Sequence, residues 1–264
     1  MRKIVRRMAY AIVALYLGAM GYLFSMQDAL LFNAQAIEKQ GKVSGENIET
    51  ISLNVSDNAV LDGVYQKSGL EEAPLIIYFG GNADDATRFV LHVKDIKDYD
   101  IVSFNYRGYV ASTGKPSEKA FFEDALKIYD TYAKGKKVIV IGRSLGTGVA
   151  SYLASKRDVQ GLVLITPYDS IASIAKRKYP FFPIDAILKH QFNTLKLIPQ
   201  IKTKMAVMEV ENDTTIPRYH LEQLLKVMPQ SLLHVTLTNT THGNVLGAEN
   251  FEKELQLILK SLHE

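Results

Sequence analysis

Charged and uncharged positions divide the chain into two unequal parts. From Met8 to Met26 about nineteen residues carry no charge. As a helix rising 1.5 Å per residue this run covers roughly 28 Å, close to the thickness of bilayer hydrocarbon. Beyond it the pattern becomes short and alternating. Ile48–Val55 and Val60–Lys67 alternate apolar with polar residues around Ser56-Asp57-Asn58, which predicts a hairpin of half-exposed strands. Leu75–Phe79, Ile101–Phe104, Val138–Ile141, Gly161–Ile165 and Met205–Val210 are short, continuous apolar runs of the kind buried on both faces of a parallel sheet. Helical spacing falls between them: Ala86–Val93, Ser117-Glu118 to about Tyr132, the stretch after Gly146, and Pro217–Val227. A last strand, Leu232–Leu237, precedes a terminal amphipathic helix, Ala248–Leu262. Strands alternating with helices at this rhythm predict an α/β fold: a mostly parallel central sheet, helices on both faces, and an antiparallel hairpin at the start.

Two segments depart from the rhythm. Asp28–Gly45 reads as a connection whose apolar start, Ala29-Leu30-Leu31-Phe32, packs back on the body or lies at the membrane interface. Residues 168–204 read as a small cap inserted over the site, with one short helix near Ile184–Gln191. Its aromatics Tyr179, Phe181 and Phe182, rimmed by Lys176, Arg177 and Lys178, have the composition of a lipid-facing entrance; a plain excursion between strands is the competing reading. The domain plan is then a basic flank and membrane segment over 1–27 and a globular body over 28–264.

Charge sharpens that plan. The chain carries 31 basic and 28 acidic residues, but Arg2, Lys3, Arg6 and Arg7 all precede the apolar run, and no acid appears before Asp28. The remainder is nearly neutral, which argues against nucleic acid as a partner. The basic flank predicts a cytoplasmic N-terminus and a body on the extracytoplasmic side. The run reads as an uncleaved signal anchor. A cleaved signal peptide is the rival, but its apolar core is normally shorter, and the nearest small-x-small site, Ala34-Gln35-Ala36, lies well past the run. There is no cysteine among the 264 residues, so disulfides and thiol chemistry are excluded.

The chemistry centres on Gly142-Arg143-Ser144-Leu145-Gly146, directly after the strand Val138–Ile141 and directly before small and apolar residues at helical spacing. A serine on a sharp strand-to-helix turn projects its hydroxyl above the sheet. Glycines two before and two after remove the Cβ atoms that would collide there. The following helix N-terminus places partial positive charge beside a developing oxyanion. A phosphate loop is the alternative for such a turn, but neither Gly-Lys-Ser/Thr nor G-x-G-x-x-G is present here. Serine needs a base and an orienting acid. Of six histidines only His242 lies in a loop after the last strand, in Asn239-Thr240-Thr241-His242-Gly243-Asn244, where Gly243 is expected to turn the loop inward. Asp213, after the preceding strand, is the expected acid. Asp169 competes for that role, and either is also the type of carboxylate that caps a helix. The turn Gly80-Gly81-Asn82 after Leu75–Phe79 is expected to supply the Asn82 backbone N–H to an oxyanion hole, paired with that of Leu145.

These motifs in this order, with Asn105-Tyr106-Arg107-Gly108-Tyr109 and Pro116-Ser117-Glu118 between them, resemble the serine α/β-hydrolases of the alpha/beta hydrolase domain-containing group, which includes membrane-associated members and protein depalmitoylases. The resemblance runs from about Asp28 to the end. It implies Ser144 as nucleophile, Asp213 as acid, His242 as base, and the Asn82 and Leu145 amides as oxyanion hole. It implies no metal and no organic cofactor. The chain departs from the group at two places: Gly80 stands where His usually precedes Gly-Asn, and Asn105 stands where Asp usually precedes Tyr-Arg-Gly. Asp84-Asp85 also puts negative charge close to the oxyanion, so the fold has to turn these carboxylates away or neutralise them. The expected function is a membrane-anchored serine hydrolase of lipid-like acyl esters or thioesters. Amide or peptide hydrolysis by the same residues, or a binding protein that keeps the fold, are the alternatives.

Overall fold

The computed structural model describes residues 1–37, 41–56, 58–229 and 232–263. The chain begins with a single long helix, α1 (Arg2–Leu31), and continues as one eight-stranded sheet clothed by helices. Its elements are β1 (Ile48–Ser56), β2 (Ala59–Gln66), β3 (Leu75–Phe79), α2 (Phe89–His92), β4 (Asp100–Phe104), α3 (Glu118–Tyr132), β5 (Val138–Arg143), α4 (Leu145–Lys156) and β6 (Gly161–Ile165). There follow α5 (Ile171–Lys178), α6 (Ile184–Ile187), α7 (Thr194–Leu197), β7 (Lys204–Asn212), α8 (Arg218–Leu225), β8 (Leu233–Thr241) and α9 (Phe251–His263). Spatially the strands run β1-β2-β4-β3-β5-β6-β7-β8. β1 and β2 pair antiparallel, β2 meets β4 antiparallel, and every pairing from β4 through β8 is parallel.

The four central strands β3 to β6 are short because each residue must be covered on both sides. In β3, β4, β5 and β6 every residue is buried. Successive side chains point to opposite faces. Leu75, Ile77, Phe79, Val138 and Val140 join a core with Phe121 of α3, Leu153 of α4 and Leu224 of α8. Ile76, Tyr78, Ile139 and Ile141 join another with Phe89 of α2 and Phe251, Leu255 and Ile258 of α9. Burying each such side chain is worth about 1.5–3 kcal/mol. The two cores clamp the sheet between them, so the strand ends are fixed platforms for loops.

The chain visits β3, then β4 on one side, then β5 on the other. Connections after β3 and β5 therefore part at the same edge, where open α/β sheets form their crevice. Gly80-Gly81-Asn82 follows β3 and Ser144 follows β5, so the sheet order alone sets them side by side.

Several boundaries differ from the sequence expectation. The connection expected from Asp28 is helical through Leu31, and a 3₁₀ turn, Ala34–Ala36, follows. Phe32 is buried, edge-on to Phe121 and Phe192, so this segment packs on the body. Between β6 and β7 lie three helices rather than one. α5 escaped notice because it is only eight residues long and ends in three basic residues. Its signal was Ser170, whose hydroxyl accepts from the Ser173 N–H at 3.0 Å, ahead of apolar Ile171, Ile174 and Ala175. β8 runs to Thr241, beyond the expected Leu237. It is an edge strand, and its last residues are Thr and Asn, which carry no apolar signal. α9 starts at Phe251 rather than Ala248 and ends at His263, one residue past the expected Leu262. Asp57, expected in the hairpin turn, lies outside the described residues.

Candidate active site

Ser144 sits between β5 and α4 with φ 48° and ψ −118°, in the left-handed region that a non-glycine residue enters only under constraint. The two glycines are compulsory. A Cβ on Gly142 would lie 2.4 Å from the Gly146 carbonyl oxygen, and one on Gly146 would lie 2.2 Å from that of Phe79. Ser144 N–H donates to the Ile165 carbonyl at 2.9 Å, which ties the strained turn to β6.

The expected histidine and acid converge on this hydroxyl. His242 Nε2 is 2.8 Å from Ser144 Oγ, and His242 Nδ1 is 2.8 Å from Asp213 Oδ2. The other oxygen of Asp213 accepts from the backbone N–H groups of Thr215 (2.9 Å) and Ile216 (2.7 Å), so the carboxylate is held before it meets the ring. His242 is buried, and its carbonyl accepts from Arg143 Nη2 at 2.7 Å. Gly243 has no positive φ and open space around it, so the turn does not depend on a missing side chain. Asn244 holds it, its Oδ1 accepting from the Thr241 N–H at 2.8 Å and hydroxyl at 2.9 Å. Asp169 does not reach this cluster: it pairs with His220 of α8, Oδ1 to Nδ1 at 2.7 Å.

The loop after β3 closes the other side. A Cβ built on Gly81 would be 3.5 Å from Ser144 Cβ, which measures how near the loop lies. Gly81 N–H is already taken by Asp84 Oδ2 at 2.7 Å. The Asn82 and Leu145 backbone N–H groups have no protein acceptor among the described residues. Leu145 opens α4, where backbone N–H groups are left over by the helix. The Asn82 side chain is anchored twice, its Oδ1 accepting from the Tyr109 hydroxyl and from the Asn33 N–H, both at 2.9 Å.

Three residues that sequence reasoning left without a role shape the site. Arg143, between Gly142 and Ser144, is buried and bonds Asp84 as well as the His242 loop. Burial opposes the Arg143 charge, but the Asp84 carboxylate together with the Tyr78 and Asp213 side chains outweighs it and holds the guanidinium above its ordinary range. Asp84 is thus neutralised in place. Asp85 caps the turn Ala86–Arg88 and accepts from Asn105 Nδ2 at 3.0 Å, while Asn105 Oδ1 accepts from the Ala86 N–H at 2.8 Å. Both departures from the family pattern have a structural counterpart. A side chain at position 80 would meet Ala86 and Asp84, each 3.2 Å from its Cβ. Asp84, together with the Tyr106 hydroxyl donating to the Gly80 carbonyl at 2.9 Å, shapes the loop instead. The partner of Arg143 is 59 residues away, and no local pattern announces such a pair.

Comparison with known proteins agrees with this architecture. A family model described as alpha/beta hydrolase fold matches residues 79–201. An uncharacterized protein of Mycobacterium tuberculosis is 25% identical over 250 residues, covering 89% of this chain and 87% of that one. Lysophosphatidylserine lipase ABHD12 of Danio rerio is 31% identical over 193 residues, covering 63% of this chain, and this chain spans about half of that lipase (50%). Among solved structures, an alpha-beta hydrolase from Vibrio vulnificus superposes with TM-score 0.68 at 18% identity, covering 91% of this chain and 93% of that one. A membrane phospholipase A, described as a bacterial virulence factor, superposes with TM-score 0.65 at 13% identity over 99% of this chain and 97% of that one. The chain has the alpha/beta hydrolase fold, and residues 79–201 match the model of that family.

Proposed function

We propose that this protein is a membrane-anchored serine hydrolase that cleaves lipid-like acyl esters or thioesters through an acyl-enzyme on Ser144. The observation that carries the reading is the unbroken run of hydrogen bonds Asp213–His242–Ser144 at 2.8 Å each, ending on a hydroxyl in a strained turn. His242 Nε2 takes the Ser144 proton as Oγ attacks the acyl carbon. Asp213 accepts from Nδ1–H, which fixes the tautomer and stabilises the imidazolium. The carbonyl oxygen becomes an oxyanion and accepts from the Asn82 and Leu145 N–H groups, beside the N-terminus of α4. As the tetrahedral centre collapses, His242 gives its proton to the leaving oxygen or sulfur. Water, deprotonated by the same nitrogen, then releases the acid and restores Ser144.

The lipid character of the substrate is supported by the names of the relatives, a lysophosphatidylserine lipase and a membrane phospholipase A. α1 supports the anchor. It is 30 residues, long and apolar enough to cross a membrane, and its basic residues precede the apolar run. The positive flank orients it with the N-terminus in the cytoplasm and the hydrolase body outside. A fluorophosphonate probe on the full-length protein tests the chemistry: labelling of Ser144, lost in Ser144→Ala, is expected. An unlabelled wild-type protein that also fails to turn over acyl esters would overturn the reading in favour of a binding protein with this fold.

A further inference from the structure

α1 does not stand clear of the body. Gln27 Nε2 donates to the Ile187 carbonyl at 3.1 Å, and Gln27 Oε1 accepts from the Lys189 N–H at 2.7 Å. Eleven residues earlier the Tyr16 ring stacks on Phe182 with centroids 5.4 Å apart, and its hydroxyl donates to the Phe181 carbonyl at 2.9 Å. Eleven residues of helix are about 16 Å, so the cap follows the helix for that distance, inside its uncharged run. Phe181 at the tip is 85% exposed. A large apolar side chain so placed, beside a helix of hydrocarbon length, matches the solvent that the helix itself matches.

Between helix and cap runs an open groove of ≈ 210 Å³, walled by Leu23, Leu30 and Leu31 from α1 and by Ile174, Ile187 and Leu188 from the cap. Its lining includes two neutral polar side chains, Tyr179 and Gln27, and the Gln27 amide is already spent on the backbone contacts above. It includes one cation, Lys178. Resting on the reading of α1 as a membrane span, we propose that this groove holds one acyl chain of a bilayer lipid, entering sideways from the leaflet, with Lys178 at the headgroup phosphate. The occupant follows from the surroundings. One wall of the groove is the membrane helix, so the groove is continuous with the hydrocarbon that this helix faces. Lys178, the one cation in the lining, complements the headgroup phosphate. The anchor is then half of a lipid-binding site, and its exact sequence at Leu23, Leu30 and Leu31 matters as an anchor's would not.

The test is photolabelling of the full-length protein in phosphatidylcholine vesicles doped with a phosphatidylcholine bearing a diazirine at its acyl terminus, followed by peptide mapping. Adducts are expected on α5, α6 and the residues just after α6, and on the exposed face of α1 at Leu15 and Leu17. Filling the groove with Ala175→Phe, or independently with Leu188→Trp, should cut the cap adducts several-fold and leave those at Leu15 and Leu17. Each variant is first checked for native circular dichroism. Adducts on α1 with none on the cap, or cap adducts undiminished in both filled variants, would overturn the groove and leave the anchor standing. No adducts on α1, with protein released by carbonate, would overturn the anchor reading and the groove with it.

Discussion

Two histidine–aspartate pairs occur in this molecule with nearly the same geometry and opposite prospects. His242 meets Asp213 at 2.8 Å and His220 meets Asp169 at 2.7 Å, in both cases through Nδ1. Both rings are buried, and each has a serine near by. The difference lies in which nitrogen the serine faces. Ser144 Oγ approaches His242 at Nε2, across the ring from the aspartate, so a proton taken at one nitrogen is balanced at the other. Ser173 Oγ lies 3.5 Å from the same Nδ1 of His220 that Asp169 already occupies. That ring cannot pass charge from serine to acid. Ser173 also sits in α5 with ordinary helical backbone, whereas Ser144 is held at φ 48°. An acid and an imidazole in contact are common as glue; the strained serine on the far nitrogen is what suits the first pair to the proposed chemistry.

The largest effect that would break this contrast is expected at the serine. Ser144→Ala should lower ester turnover on the order of 10⁴-fold or more with the fold intact, read by kcat/KM and by circular dichroism. Turnover within tenfold of wild type would move the chemistry elsewhere, and Ser173 would be the next residue to change. Asp213→Asn should cost on the order of 10⁴-fold in kcat, because the amide favours the wrong tautomer. Asp169→Asn should keep most of the activity, and the reverse outcome would exchange the roles of the two pairs.

Smaller effects sharpen it. Asn82→Ala keeps the backbone N–H but removes the acceptor held by Tyr109 and Asn33. A kcat loss of roughly tenfold is expected, short of the 10²–10³ for losing an oxyanion donor outright; an unchanged kcat would show that the loop is positioned without that side chain. His220→Ala should leave kcat nearly untouched while lowering stability by about 3–5 kcal/mol, since it strands the buried Asp169 carboxylate. Thermal melting together with kinetics separates the two. The smallest expected effect is a pH dependence of melting. Burial acts to raise the Asp169 pKa, but its bonds to His220, Ser173 and the Ser170 N–H outweigh this and hold it below the ordinary 3.8. A depressed carboxylate stabilises the fold above the unfolded value, and that contribution fades as pH falls through the folded one. The melting temperature of the wild type should therefore fall more steeply below about pH 4 than that of Asp169→Asn.

What could be read in advance follows the same division. The central strands announced themselves because double burial leaves only apolar residues: β3 and β6 match the apolar runs Leu75–Phe79 and Gly161–Ile165 residue for residue. The cluster at Ser144 was legible because each member sits at a strand end, where a loop residue has few other reasons to be a Ser, Asp or His. The cap was read only in part. Its helices are short: α5 and α6 turn apolar residues to the groove beside α1 and α7 packs on α4, so no sheet rhythm marks them. The pairing of Arg143 with Asp84, whose charge the sequence did flag, was missed for a different reason. Their value is mutual, and a charge whose partner lies across the fold looks in sequence like any surface charge.

The bond between Asn105 and Asp85 has a consequence for how this chain can change over generations. Asn105 offers its amide hydrogen to a carboxylate 3.0 Å away while its oxygen serves the Ala86 N–H. An aspartate in place of Asn105 would set two carboxylates against each other in this corner, and like charges at that range are mutually unfavourable. The two positions therefore form an epistatic pair. A lineage in which Asn105→Asp becomes fixed must first give up the negative charge of Asp85, and one that keeps Asp85 is confined to an uncharged donor opposite it. Substitution at either site will look tolerated or forbidden according to the history of the other.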